Sequence, residues 1–189
     1  MCDQNRKRRR HRAGICAVGA AALTAVSAGP TRADTPLPEP VVRALDLALA
    51  DERHALATYE AVLERFGDVR PFVNIARAEQ RHIDALLPLY ARYGVRVPED
   101  ETEVDPATAT LDMKGLCQVG VEAEIENVRL YDEELLPTVA DYPDIAAVLK
   151  RLRDASANNH LQAFQRCVER GGRPGMGQGH GRGKGYGRG

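Results

Sequence analysis

Nowhere in this 189-residue chain does an apolar run reach the roughly 18–20 residues that a confident membrane span needs. No segment alternates convincingly between apolar and polar at period two, which argues against a sheet. The remaining pattern is helical, and its apolar stripes contain no lysine or arginine, although they do contain acids. Net charge is low as well, with 26 Lys/Arg against 27 Asp/Glu. That balance misleads, because much of the positive charge sits at the N-terminus.

The first 33 residues read as a secretory signal: the basic patch "RKRRRHR", the small-residue apolar run "AGICAVGAAALTAVSA", then "GPTRADTP". Cleavage is expected after Ala28 or Ala33. The protein is therefore expected to be exported to the periplasm, cell envelope or exterior. Cys16 begins the apolar run instead of ending it, so a lipoprotein site is not expected. Residues 34–189 keep 19 Lys/Arg against 26 Asp/Glu, a net of −7. An acidic body argues against nucleic acid as a partner and is compatible with cations.

Residues 34–40 form a proline-rich lead-in, and residues 41–170 carry four amphipathic periodicities. The first spans about 41–66, with Leu45, Leu49, Glu52, Leu56, Tyr59 and Leu63 on its stripe. "GDVRP" breaks it, and the second runs to about Tyr93 through Phe72, Ile75, Glu79, His82, Leu86 and Leu89. After the long acidic "VRVPEDETEVDPATAT" comes the third, about 111–136, with Met113, Cys117, Gly120, Glu124, Val128 and Tyr131. "PTVADYPD" is a second short turn, and the fourth covers about 145–168 through Leu149, Leu152, Ser156, His160 and Cys167. Two short turns flanking one long connection describe two helical hairpins joined by a crossover. The expected fold is all-α, with the connectivity of a ferritin-like four-helix bundle. Residues 171–189 are more than half glycine, too costly in backbone entropy to order alone. Their arginines and lysine suit contact with anionic surfaces.

Polar residues intrude on all four stripes: Glu52, then Glu79 with His82, then Glu124, then His160. Buried unpaired carboxylates cost several kcal/mol each, and three together demand positive charge. With no Lys or Arg on the stripes, metal is the favoured partner. Glu79 and His82 stand at i and i+3, neighbours on one helix face, so both can ligate one centre. Oxygen and nitrogen donors suit iron first, with manganese, zinc or copper also compatible. Ala157 stands three residues before His160, where a second Glu-x-x-His would need a glutamate. Asn127 or Glu126 are the candidates to complete the set. Tyr59 and Tyr131 are candidate electron or hydrogen-bond donors beside it.

Cys117 lies seven residues before Glu124 and Cys167 seven after His160. On antiparallel helices this brings the two cysteines to one depth. A disulfide is a candidate there, two buried thiols being the alternative.

The phrases "DERHALATYEAVLERFG", "NIARAEQRHIDALLPLYARYG", "VGVEAEIENV" and "ASANNHLQAF" resemble the domain-of-unknown-function 2202 family within the ferritin-like superfamily. The resemblance covers about residues 41–170. It implies a ferritin-like fold and a centre of two metal ions, and supplies no established reaction. Three functions stay open: di-iron-type oxidation of Fe(II) or reduction of O₂ or peroxide, metal binding or sequestration without turnover, and a structural metal-free bundle. A homo-oligomer is compatible with each.

Overall fold

A computed structural model describes residues 36–173. The signal segment, residues 1–33, lies outside these described residues, as does the glycine-rich tail from residue 174 onward. Among the described residues every regular element is helical. Helix α1 is Glu39–Phe66, opened by Pro40 in its first turn and stopped at Gly67, whose φ is 75°. Helix α2 is Phe72–Tyr93 and ends at Gly94 in the left-handed conformation (φ 63°), which glycine adopts without Cβ strain.

The crossover follows α1 back along its length. Arg53 Nη1 donates to the Pro98 carbonyl at 3.0 Å. Twelve residues further along α1, Arg65 Nη1 donates to the carbonyls of Thr108 (3.1 Å) and Leu111 (2.6 Å). A 3₁₀ turn, Pro106–Ala109, lies between them. The chain therefore enters the next helix beside the C-terminal end of α1 and runs antiparallel to it.

Helix α3 begins as Met113–Leu130, with the Asp112 carboxylate accepting from the Gly115 N–H at 2.8 Å as its N-cap. It passes through a π-helical turn, Tyr131–Leu135, and finishes as Leu136–Thr138. Helix α4 has the same construction: Pro143–Ala155, a π turn Ser156–His160, then Leu161–Glu169. The outcome is an all-α four-helix bundle of two hairpins joined by one long crossover. The sequence periodicity locates each helix to within a few residues and does not reveal either π turn.

Two apolar clusters fill the bundle. One is built on Leu45, Leu49, Leu86, Tyr90, Leu135 and Leu149. The other is built on Val62, Phe72, Ile75, Leu116 and Phe164 around a disulfide between Cys117 and Cys167, whose Cα atoms are 6.0 Å apart. Phe164 packs its ring against the bare backbone of Gly120, where a Cβ would lie 2.7 Å from the ring. Tyr131 belongs to the first cluster and Tyr59 to the second. The ionisable groups lie between them.

Candidate metal centre

Each of the four helices delivers at least one ionisable side chain to the space between the apolar clusters. Glu52, Glu79, Glu124 and His160 are all less than 5% exposed. The His82 side chain is 13% exposed and reaches the same space. The Glu79 carboxylate is central: its Oε2 lies 2.8 Å from His82 Nδ1 and its Oε1 lies 3.1 Å from His160 Nδ1. His82 Nδ1 is also 2.9 Å from Glu52 Oε2, and His160 Nδ1 is 3.6 Å from Glu124 Oε2. The arrangement has two halves, Glu52 with His82 and Glu124 with His160, sharing Glu79. The imidazole rings stack with centroids 5.5 Å apart.

Two tyrosines brace the outer carboxylates. Tyr59 donates to Glu124 Oε1 at 2.9 Å, and Tyr131 donates to Glu52 Oε1 at 2.7 Å. Each tyrosine stands seven residues after the glutamate of its own helix and bonds the glutamate of the other. Antiparallel α1 and α3 thus cross-brace through a pseudo-twofold pair. Burial first, and the facing Glu124 and Glu52 carboxylates next, push both phenols well above their ordinary range, so they remain donors.

The charge states follow from the same contacts. Burial opposes charge on His82, but hydrogen bonds to Glu52 and Glu79 outweigh it and push the imidazole up to about 9. Burial likewise opposes charge on His160, and Glu124 and Glu79 outweigh it, to about 10. Burial pushes Glu52 up to about 8, only partly offset by His82. Glu79 is also penalised by burial, yet the two histidines hold it down to about 2.

Glu126 is exposed and ion-paired with Arg129 at 2.8 Å, so it does not join the cluster. Two residues beyond Glu124, it is rotated about 200° around the helix. Asn127, at i+3, does face inward, and its amide donates to the Asp51 carboxylate. Asp51 is the carboxylate that the sequence reading missed. Burial pushes it up to about 6, with Glu124 and Glu79 adding to the rise and Asn127 opposing it. Its signal was a second stripe on α1, Asp51, Ala55, Thr58 and Val62, one residue out of phase with the main one.

Ala157 also changes meaning. Through the π turn the Leu161 N–H bonds to the Ser156 carbonyl, so a turn here takes more residues than 3.6. The residue one turn before His160 is therefore Ser156, which is 4% exposed, while Ala157 is only half-buried.

The donor set fits a cation. One ligand atom each from Glu79, His82 and His160 all lie within 4.8 Å of one another. Among the described residues, buried His160 Nδ1 makes no aligned hydrogen bond, although Glu79 Oε1 is 3.1 Å away. The nitrogen and the oxygen are close, but they do not point at each other.

Residues 42–178 match the uncharacterized protein domain DUF2202. The chain belongs to the DUF2202 family. No functionally curated protein matches it. Among solved structures, this DUF2202 chain is similar to the crystal structure of hypothetical protein MJ0754 from Methanococcus jannaschii DSM 2661. The TM-score is 0.63 and the identity 23%, over 79% of this chain and 89% of that one. At that identity the likeness is one of fold.

Proposed function

We propose that this protein is an exported, ferritin-like member of its family that holds two metal ions, iron first, in the middle of the bundle. Glu52 and His82 would hold one ion and Glu124 and His160 the other, with Glu79 in reach of both histidines. Two Fe(II) ions held there would each give up one electron, the pair together reducing one O₂ or peroxide by two electrons as the iron is oxidised to Fe(III). The observation that carries the reading is the buried cluster in which one ligand atom each from Glu79, His82 and His160 lies within 4.8 Å of the others, with His160 Nδ1 3.1 Å from Glu79 Oε1 but, among the described residues, in no aligned hydrogen bond.

The chain's own residues do the rest. Tyr59 and Tyr131 fix the rotamers of Glu124 and Glu52, so one oxygen of each is left for the centre. The two apolar clusters flank the charged groups and strengthen the electrostatic interactions between them.

A second reading has an observation of its own. His82 sits between Glu52 and Glu79 at 2.9 and 2.8 Å, an arrangement that a protonated imidazole satisfies without metal. On that reading the bundle is structural. The deciding experiment adds Fe(II) anaerobically to metal-free protein, then admits O₂ or peroxide and follows Fe(III) absorbance. Binding with rapid oxidation supports an oxidoreductase, and stoichiometric binding without oxidation supports sequestration. No binding leaves the structural reading.

A further inference from the structure

Helices α2 and α4 are antiparallel neighbours along one side of the bundle. The Phe72 and Phe164 rings lie 5.2 Å apart, and those of His82 and His160 lie 5.5 Å apart. Arg77 and Arg81, at i and i+4, stand on the side of α2 opposite its buried residues, and Arg70 lies in the turn that leads into it. On α4, Gln165, Val168 and Glu169 share a groove with α3. Arg166 and Arg170 therefore project from the other flank of α4, towards α2.

These arginines differ from the protein's other cations. Arg70, Arg77, Arg81 and Arg166 are exposed, and among the described residues none of the four makes a side-chain ion pair or hydrogen bond. Elsewhere the helices tie their cations to acids: Arg92 to Asp144, Arg129 to Glu126, Lys150 to Asp154 and Arg153 to Asp132. Across residues 70–81 the only acid is Glu79, buried in the centre, and across 161–173 it is Glu169, on the α3 flank. Yet residues 36–173 together hold 16 Lys/Arg against 25 Asp/Glu, a net of −9. A positive face with no internal partner on so acidic a body calls for an external anion.

The face itself narrows the class. Its cations are all arginine, whose planar forks pair with phosphate oxygens two bonds at a time. The exposed large apolar side chains, Leu47, Val119 and Ile125, belong to α1 and α3, so nothing on this face is built to insert into hydrocarbon. The acidic crossover lies against α1, away from it. A flat lattice of headgroups would meet the α2/α4 face alone, with the crossover beyond the roughly 8–10 Å over which charges act in physiological salt. A flexible polyanion in solution would meet the whole acidic body.

We infer that the α2/α4 face seats this protein on an anionic phospholipid surface, with Arg70, Arg77, Arg81 and Arg166 on lipid phosphates. The inference goes beyond the metal reading and does not depend on it.

The test is co-sedimentation of residues 34–189, the processed chain with the whole bundle and its disulfide, with vesicles. Vesicles of equal parts phosphatidylglycerol and phosphatidylcholine are compared with phosphatidylcholine alone. Binding is expected to the first and not the second, and to disappear in molar salt. Arg77→Gln is expected to weaken partition about fivefold, and the quadruple variant with Arg70→Gln, Arg81→Gln and Arg166→Gln about a hundredfold or more. Circular dichroism checks its fold, and if it unfolds, Arg77→Gln alone decides. Changing Arg43, Arg96, Lys114 and Arg129 to Gln alters net charge equally on other faces, and is expected to leave partition within about threefold. Failure to bind anionic vesicles, unchanged partition in the variants of the face, or an equal loss in the second quartet overturns the inference. The chain beyond this face carries Arg182, Lys184 and Arg188. Binding retained when these three become Gln supports the face, and binding abolished assigns the contact to the tail and overturns it. Tighter binding to duplex DNA than to vesicles at equal phosphate also overturns it.

Discussion

Glu79 approaches His160 to 3.1 Å, yet His160 Nδ1 makes no hydrogen bond. His82 occupies the other oxygen of the same carboxylate, at 2.8 Å. A single glutamate therefore divides the cluster into two halves that differ in their outer carboxylate. Neutralising either outer carboxylate should empty its own half only. Glu52→Gln and Glu124→Gln are each expected to bind one ion per chain where the wild type binds two, measured by elemental analysis against protein concentration. Loss of both ions in either variant would show that the halves are not separable.

The pH behaviour of the metal-free protein follows from the histidines and glutamates together. His82 and His160 are raised in the fold to about 9 and about 10, so their stabilisation is complete below the unfolded value of 6.5 and lost as pH rises through those folded values. Glu52, raised to about 8, costs stability as pH climbs from 4.5 to that value. Glu79, held down to about 2, stabilises above 4.5 and loses that contribution as pH falls towards 2. Urea melts of metal-free protein should therefore show a lower midpoint at pH 9.5 than at pH 6. Metal affinity should run the other way, because binding displaces those protons. A metal-free midpoint that rises between pH 6 and 9.5 contradicts these assignments.

Tyr59→Phe and Tyr131→Phe each remove one hydrogen bond to a buried carboxylate. Each is expected to cost about 1–3 kcal/mol, by denaturant titration, since the oxygen left behind stays buried. Two similar values would reflect the pseudo-twofold bracing. A loss in only one would mean that the two ends of the centre differ in water access.

The Cys117–Cys167 bridge closes a separation of 50 residues between α3 and α4. Chain entropy alone sets its contribution at roughly 4 kcal/mol. The double variant Cys117→Ser with Cys167→Ser should unfold at lower denaturant by that order. An oxidised wild type no more stable than its reduced form would contradict that contribution.

The sequence displayed the helices, the inward glutamates and the inward histidines, because apolar stripes at a 3.6-residue period leave few positions for a core-facing acid. It could not display the two π turns. The apolar stripe already carried Ser156 one turn before His160, and the π turn at Ser156–His160 leaves Ala157, the i−3 position of a Glu-x-x-His, only half-buried. Glu126 and Asn127 differ for a reason the period does contain: i+3 shares a face with Glu124, and i+2 does not. Glu126→Ala and Ala157→Glu should accordingly leave metal content unchanged, the first because its partner is Arg129 at the surface. Asp51 escaped notice because it lies beside Glu52 on a stripe facing the crossover, and a long irregular connection cannot be positioned from sequence.

The most direct measurement of the central claim is the number of metal ions per chain, by native mass spectrometry after anaerobic loading with Fe(II), in wild type and in Glu79→Ala. Glu79 contacts both histidines. The expected result is two ions in the wild type and none retained after desalting in the variant. A wild type that holds no iron, or a Glu79→Ala variant that still holds two ions, contradicts the account.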